Sequence, residues 1–292
     1  MVLYSNPAER AYQISIHLIV ALIAVTAVFP LVYVIGMSMT TQSELIKRNY
    51  FVIIPLEPTL QGYERILGQT AVWRAFMISV LRSTVGPAMA LVLTLVGAYC
   101  LSIRTLPGRA VILLLVLASI IFPGGLIPSY LVMRRLGLLN NFWVMILPFL
   151  GHSFGLLVIK VFIENLPEGL VESARIDGAG HLQMLVWIIT PLTAPALAAI
   201  GMFSIVEHWN SWFDALVYLS DDALWPLQLI LRHILLGAYA QSEVYQVMGR
   251  RQINPESLKM TTVVVGIVPL LCVYPFVQKH FIKGVYLGAI KG

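Results

Sequence analysis

Few residues of this 292-residue chain have both the type and the spacing that chemistry requires. There is no G-x-x-x-x-G-K-[ST] loop to cradle phosphates, and Gly178-Ala-Gly180 follows no predicted strand. No Ser/His/Asp or Cys/His set stands at useful spacing, so the sequence points away from a self-contained enzyme. Cys100 and Cys272 lie in apolar runs without a CxxC, and His181, His208, His233 and His280 lack metal-ligand spacing, so neither a disulfide framework nor a metal site is expected. Tyr99, His152, Arg82 and Lys160 lie within or beside apolar stretches, where a polar group is costly and tends to face a cavity. Arg82 and Lys160 stand near the ends of their runs, where a long cation snorkelling to the interface is the simpler explanation. Trp143, Trp209 and Trp212 offer flat faces for stacking, although an interfacial aromatic belt explains them at less cost. Arg232 and the pair Arg250-Arg251 place positive charge between the apolar runs.

The densest chemistry lies between Asn165 and Gly180. Asn165 is suited to cap a helix, and Pro167 and Glu168 suit its first turn near the positive dipole end. Leu166, Leu170 and Ala174 recur every four residues with Val171 beside them, while Glu168 and Glu172 occupy the other side. Arg175 lies one turn beyond Glu172, where the two would form a surface pair worth about 0.3–0.5 kcal/mol. Asp177, Gly178 and Gly180 then stop the helix. A short amphipathic helix with a small apolar ridge is what a groove on a partner grips.

Such a segment needs rigid elements on either side, and composition says what they are. Hydrophobic residues make up 59% of the chain and charged residues only 11%, against about 25% charged in soluble domains. Mean hydropathy is +0.85. Charge-free runs cover Ala11–Ser43, Ser83–Ile103, Ala110–Met133, Leu136–Ile159, Gly178–Val206 and Met260–Gln278. Each is long enough to cross a hydrocarbon core of about 30 Å as a helix of about 20 residues, and in lipid a helix is what satisfies the backbone. The first run is too long for a signal-peptide core and reads as an uncleaved anchor. The net charge of +5 comes from Lys and Arg scattered singly or in pairs between runs, with no stripe for nucleic acid. The cations divide almost evenly between the two sides, so charge favours a cytoplasmic N-terminus only weakly, and Arg134-Arg135 oppose it. Pro123-Gly124-Gly125, the pair Pro191 and Pro195, and the pair Pro269 and Pro275 break or kink the runs. Leu224–Leu236, too short to span, reads as a surface or re-entrant helix, and Asn254-Pro255-Glu256 as a helix start.

Glu172-Ser-Ala-Arg-Ile-Asp-Gly-Ala-Gly180, followed by Pro191 and Pro195, resembles the "EAA" loop of importer-type ABC permeases, with Ser173 in place of the family's first Ala. Ala98-Tyr99, Arg104 and Gly108-Arg109, then Pro128-Ser-Tyr130, Leu136-Gly-Leu138 and Asn140, Trp209-Asn210, and Lys283-Gly284 through Gly288–Gly292 extend the likeness from about residue 60 to the end. The family's Asn-Ser pair early in its second helix reads Ile78-Ser79 here. The resemblance implies an all-α membrane protein of the type I importer permease fold: six transmembrane helices and a cytoplasmic coupling helix, both termini cytoplasmic, in a bacterial inner membrane. It divides the chain into an N-terminal helix and external loop (1–74), a transmembrane core (75–283) and a cytoplasmic tail (284–292). It implies a non-catalytic subunit that forms half of a path for a carbohydrate, alginate among the candidates, with a second permease. An external solute-binding protein would deliver the cargo, and two ATPases would hold the ATP and Mg, leaving this chain without a cofactor of its own. Glu168, Glu172, Ser173, Ala174, Asp177, Gly178, Ala179 and Gly180 would meet the ATPase, and rigid helices four and five would carry the motion. Tyr99, His152, Trp209 and Asn210 are the candidates for the path. An ion-coupled secondary transporter or an intramembrane enzyme on lipid-linked sugars are the alternatives. The first should place carboxylates inside its spans, and all 14 acidic residues fall outside the six runs.

Overall fold

Apolar runs with few charges become helices, and the computed structural model, which describes residues 7–248 and 255–289, contains no strand among them. Arg250-Arg251, Asn254 and residues 290–292 lie outside the described residues. Among the described residues, four helices are long and apolar enough to cross a membrane: α1 (Pro7–Ser38), α4 (Thr70–Ser102), α9 (His181–Asn210) and α12 (Pro255–Ala289), the last through its Pro255–Val273 part. Two bent pairs bring the candidate spans to six when each is counted as one crossing. The helices α5 (Arg109–Ile121) and α6 (Leu126–Arg135) meet at 116°, and the 3₁₀ stretch Phe142–Phe149 meets α7 (Ser153–Glu164) at 44°.

The third run is therefore not one straight span. Pro123 lacks the donor a continuing helix needs, and Gly125 takes φ +79°, so the chain turns where the prolines and glycines stand. The fourth run is broken as well, between Phe149 and Ser153. The fifth departs from the uniform rod expected of it, because Met184–Ile189 forms a π-turn in which the Thr190 hydroxyl donates to Leu185 O (2.7 Å). The stretch Leu224–Leu236 lies largely in α11 (Leu227–Met248).

The chain forms two compact units. The first combines residues up to Thr70 with Leu231–Ile267. Here the Ser38 carbonyl accepts hydroxyls from Ser257 (2.9 Å) and Thr261 (3.2 Å), while Met37, Leu45 and Val52 make a small core with Tyr33 and Met260. Two short helices follow α1, α2 (Gln42–Lys47) and α3 (Gln61–Leu67). The Glu44 carboxylate of α2 accepts N–H bonds from Leu56 (2.9 Å) and Glu57 (3.3 Å), which fold the loop over the end of α1. Its pKa falls below the ordinary value, chiefly through the Leu56 bond and against the effect of burial. The second unit, Ala71–Ile230 with residues from Val268 onward, carries both sites described next.

Candidate functional site: the α8 corner and a buried ion pair

Between α7 and α9 lies α8 (Glu168–Ile176), nine residues long. Its start differs from the expected one: Asn165 closes α7, its N–H bonding Val161 O (3.1 Å), and no side chain caps α8. The cause is Pro167, which disfavours helical backbone at Leu166 and so ends α7 before it. Glu168 is the first helical residue. The end is as expected and better defined. Gly178, at φ +82°, lets Ala179 N–H reach Ala174 O (2.9 Å) and its own N–H reach Arg175 O (3.0 Å). This is a Schellman closure, which requires a left-handed residue there. Gly180 then opens α9, its N–H donating to Gln183 Oε1 at 2.9 Å.

The apolar ridge is split between two faces. Ala174 is buried, with Leu166, Val171 and Ala179 packed against a core of Ala98, Tyr99, Ile159, Ile163, Met184 and Leu185. Leu170 (44% exposed) and Ile176 (86% exposed) point outward, beside the exposed Glu172, Ser173, Asp177 and Gly178. Glu172 and Arg175 are not among the ion pairs of the described residues. Beneath α8 the Tyr99 hydroxyl lies 2.8 Å from His181 Nδ1 and 3.6 Å from Met184 Sδ. Lys160, expected to snorkel, instead pairs with Glu164 (2.8 Å), which also holds Arg109 (2.7 Å), while Arg109 Nε donates to Leu101 O. Helices α4, α5 and α7 are thus tied together at this end. A cavity of about 330 Å³ remains between α8 and this base, lined among others by Tyr99, Arg104, Val171, Glu172 and Arg175.

About 25 Å back along α4, at 1.5 Å per residue from Tyr99, Arg82 is 1% exposed, which overturns the snorkelling reading. Its Nη2 bonds Asp214 Oδ2 closely, and its Nη1 donates to Asp214 Oδ1 (3.3 Å) and to Ser211 O (3.2 Å). Asp214, on α10 (Phe213–Tyr218), also accepts the Ser211 hydroxyl at 2.7 Å. Burial, with Asp214 nearby, pushes the Tyr218 phenol up. Beside the pair, His208 lies edge-on to Phe149 (5.9 Å), its Nδ1 2.9 Å from Ser204 O and its Nε2 buried without a partner. Gly86 leaves room for that ring; a Cβ there would come within 2.5 Å of Nε2.

The comparisons with known proteins bear on these two places. No family model matches the chain. It is 37% identical over 285 residues to the polygalacturonan/rhamnogalacturonan transport system permease protein YtcP of Bacillus subtilis, covering 97% of this chain and 99% of that protein. The chain belongs to the sugar ABC-importer permeases. Protein LplC of Bacillus subtilis is 36% identical over 290 residues, covering 99% and 98%. A crystal structure of a bacterial ABC transporter that imports the acidic polysaccharide alginate superposes with TM-score 0.85 at 28% identity, covering 96% of this chain and 100% of that one.

Within this permease the candidate path residues do not form one group. Tyr99 sits under α8, packed with Ala174 and bonded to His181. His152 stands just before α7, its Nδ1 buried without a partner and aimed at Gly155. Trp209 is buried edge-on to Phe76 at 6.0 Å, and Asn210 is the exposed last residue of α9. Trp143 is exposed, and Trp212 stacks edge-on with Phe213. Two family positions gain a role that spacing alone did not supply. Ser79 Oγ accepts the buried Leu227 N–H (2.8 Å), and Asn140, at φ +55°, clamps the N–H groups of Ser220 (3.1 Å) and Asp221 (2.8 Å). The Arg82–Asp214 pairing had no sequence signal, since its members are 132 residues apart. Among the described residues no three His, Cys, Asp or Glu side chains gather as metal ligands.

Proposed function

We propose that this chain is the non-catalytic permease half of an importer for acidic oligosaccharides or polysaccharides, coupled through α8 to a cytoplasmic ATPase. The observation that supports it best is the outward face of α8: Leu170 and Ile176 present apolar surface next to exposed Glu172, Ser173 and Asp177. The inward face is fixed by Ala174 and the Schellman closure. Apolar side chains on a rigid short helix favour a protein partner. Glu168, Glu172, Ser173, Asp177, Gly178 and Gly180 would line the contact, while Ala174 and Ala179 would seat the helix on the permease.

In this reading α8 lies in the cytoplasm, α7 and α9 meet there, and both termini are cytoplasmic. ATP and Mg bind the ATPase pair, and this chain holds no cofactor. A second permease completes the path, an external binding protein delivers the cargo, and ATP-driven movement of α8 passes through its core contacts into α4, α7 and α9. His152, Trp209 and Asn210 belong to the path, and Tyr99 to the seat of α8. The acidic cargo follows from the polygalacturonan/rhamnogalacturonan and alginate systems of the relatives.

The test uses the reconstituted transporter with its partner permease, ATPases and binding protein. Glu172→Arg and Gly178→Trp should leave membrane insertion intact, while ATP hydrolysis no longer drives uptake. Normal uptake in both variants would remove the coupling role of α8.

A further inference from the structure

Arg82 is a buried cation with a carboxylate for a ligand. Its three protein acceptors all come from one corner, Asp214 with both oxygens and Ser211 with its carbonyl, and all three engage Nη1 or Nη2. Of the two N–H groups left over, the one on Nε is buried and has no acceptor. The Phe149 ring lies 6.0 Å from the guanidinium carbon, and Trp209 stands close by in sequence to Ser211 and Asp214. Asp214 itself rides on a six-residue helix, entered from extended backbone at Ser211 (ψ 130°) and left through extended backbone at Leu219 (ψ 122°). Displacing so short an element moves the carboxylate without unwinding a span. As a source of stability such a pair is a poor choice, because buried ion pairs are often matched by apolar residues of the same volume.

We propose that Arg82 is a carboxylate-binding centre for the uronate groups of the cargo, and that Asp214 is the internal carboxylate that fills it until the cargo arrives. The inference rests on the acidic-polysaccharide reading above. A uronate carboxylate offers the same two oxygens in the same planar geometry as Asp214, so the exchange leaves the guanidinium paired throughout. The second edge of the guanidinium, through Nε–H, donates to a further sugar oxygen that Asp214 does not supply. A neutral sugar cannot take the place of Asp214, because the buried cation would then lose its counter-charge. The internal carboxylate thus excludes uncharged cargo as well as holding the site for charged cargo.

Equilibrium binding of trigalacturonate and of its methyl ester to the nanodisc-reconstituted transporter, with partner permease and ATPases but without binding protein, tests this. The wild type should bind the free acid and bind the ester at least tenfold more weakly. Asp214→Asn keeps one acceptor for Arg82 but removes the competing charge, and should bind the acid about tenfold more tightly. Arg82→Gln should lose about tenfold in affinity for the acid. The double variant R82M/D214L removes both charges while keeping apolar volume, and should elute as an intact assembly and show the same loss. Unchanged acid binding in R82M/D214L, or weakening by Asp214→Asn to the level of Arg82→Gln, overturns the inference and leaves a structural ion pair. A wild type that binds acid and ester equally, or neither, overturns the acidic-cargo reading as well.

Discussion

Two stretches of α4, its middle at Arg82 and its end at Tyr99, are fastened to the rest of the second unit by different means. Near Tyr99 the fastening of α8 is apolar packing and backbone geometry, with the charges of α8 left on the surface and the partly exposed Lys160–Glu164–Arg109 group beside it. Near Arg82 it is a single buried ion pair, with three acceptors on one guanidinium. An apolar contact degrades in proportion to the area lost. A buried ion pair does not, since removing one partner strands the other charge at full cost. The α8 corner should therefore tolerate small surface changes and transmit displacement smoothly, whereas the Arg82 corner should behave as intact or broken.

The largest effect should come from breaking that pair unevenly. Arg82→Met or Asp214→Leu alone should destabilise the purified permease by about 3–5 kcal/mol, and the double variant should recover most of it; thermal unfolding in detergent measures both. Equal losses in singles and double would mean that packing, not charge, fastens this corner. Next comes Gly86→Ala, whose Cβ would press on the His208 ring at 2.5 Å. An overpacked site of this kind costs about 1–3 kcal/mol, and His208→Ala in the same chain should relieve it, read by the same melting curves.

At the other corner, Gly178→Val forces a β-branched residue to φ +82°, with open space around it. The strain is about 1–2 kcal/mol, so the melting temperature should fall modestly while coupled uptake falls much further. A parallel loss of both would show that α8 matters for folding rather than for transmission. The smallest effect concerns Glu44, a carboxylate satisfied by backbone N–H groups rather than by a guanidinium. Its folded pKa is depressed, so its contribution is present above the unfolded value near 4.5 and disappears as pH falls through the lower folded value. Melting curves from pH 7 down to pH 3 should show an acid-side loss that Glu44→Gln flattens.

What the sequence made legible follows the range of the forces involved. The helices of the first, second and sixth runs, the stop at Gly178 and the break at Pro123–Gly125 are local, set by hydropathy and backbone sterics, and appear where their residues stand, while the fourth run is broken between Phe149 and Ser153. The start of α8 is not where Asn165 suggests, because Pro167 acts on the residue before it and overrides a good capping residue. Which face of α8 turns inward was not legible, since Leu170 and Ala174 share a stripe by spacing and only the packing of Ala98 and Met184 separates them. The partnerships of Arg82 with Asp214 and of Arg109 with Glu164 are tertiary, whereas Lys160 and Glu164 stand four apart on α7, a spacing that the sequence does carry. A cation near the end of an apolar run looks the same in sequence whether it reaches for water or for a carboxylate.

The bend between α5 and α6 carries one more consequence. At 1.5 Å per residue, the 13 residues of α5 rise about 20 Å, short of a hydrocarbon core of about 30 Å. The non-helical backbone at Phe122–Gly125 thus falls at membrane depth, where acyl chains offer nothing to bond its carbonyls. Such a stretch persists only against protein or in a hydrated cleft, so this flank of the permease should meet a partner subunit or a water-filled space rather than lipid.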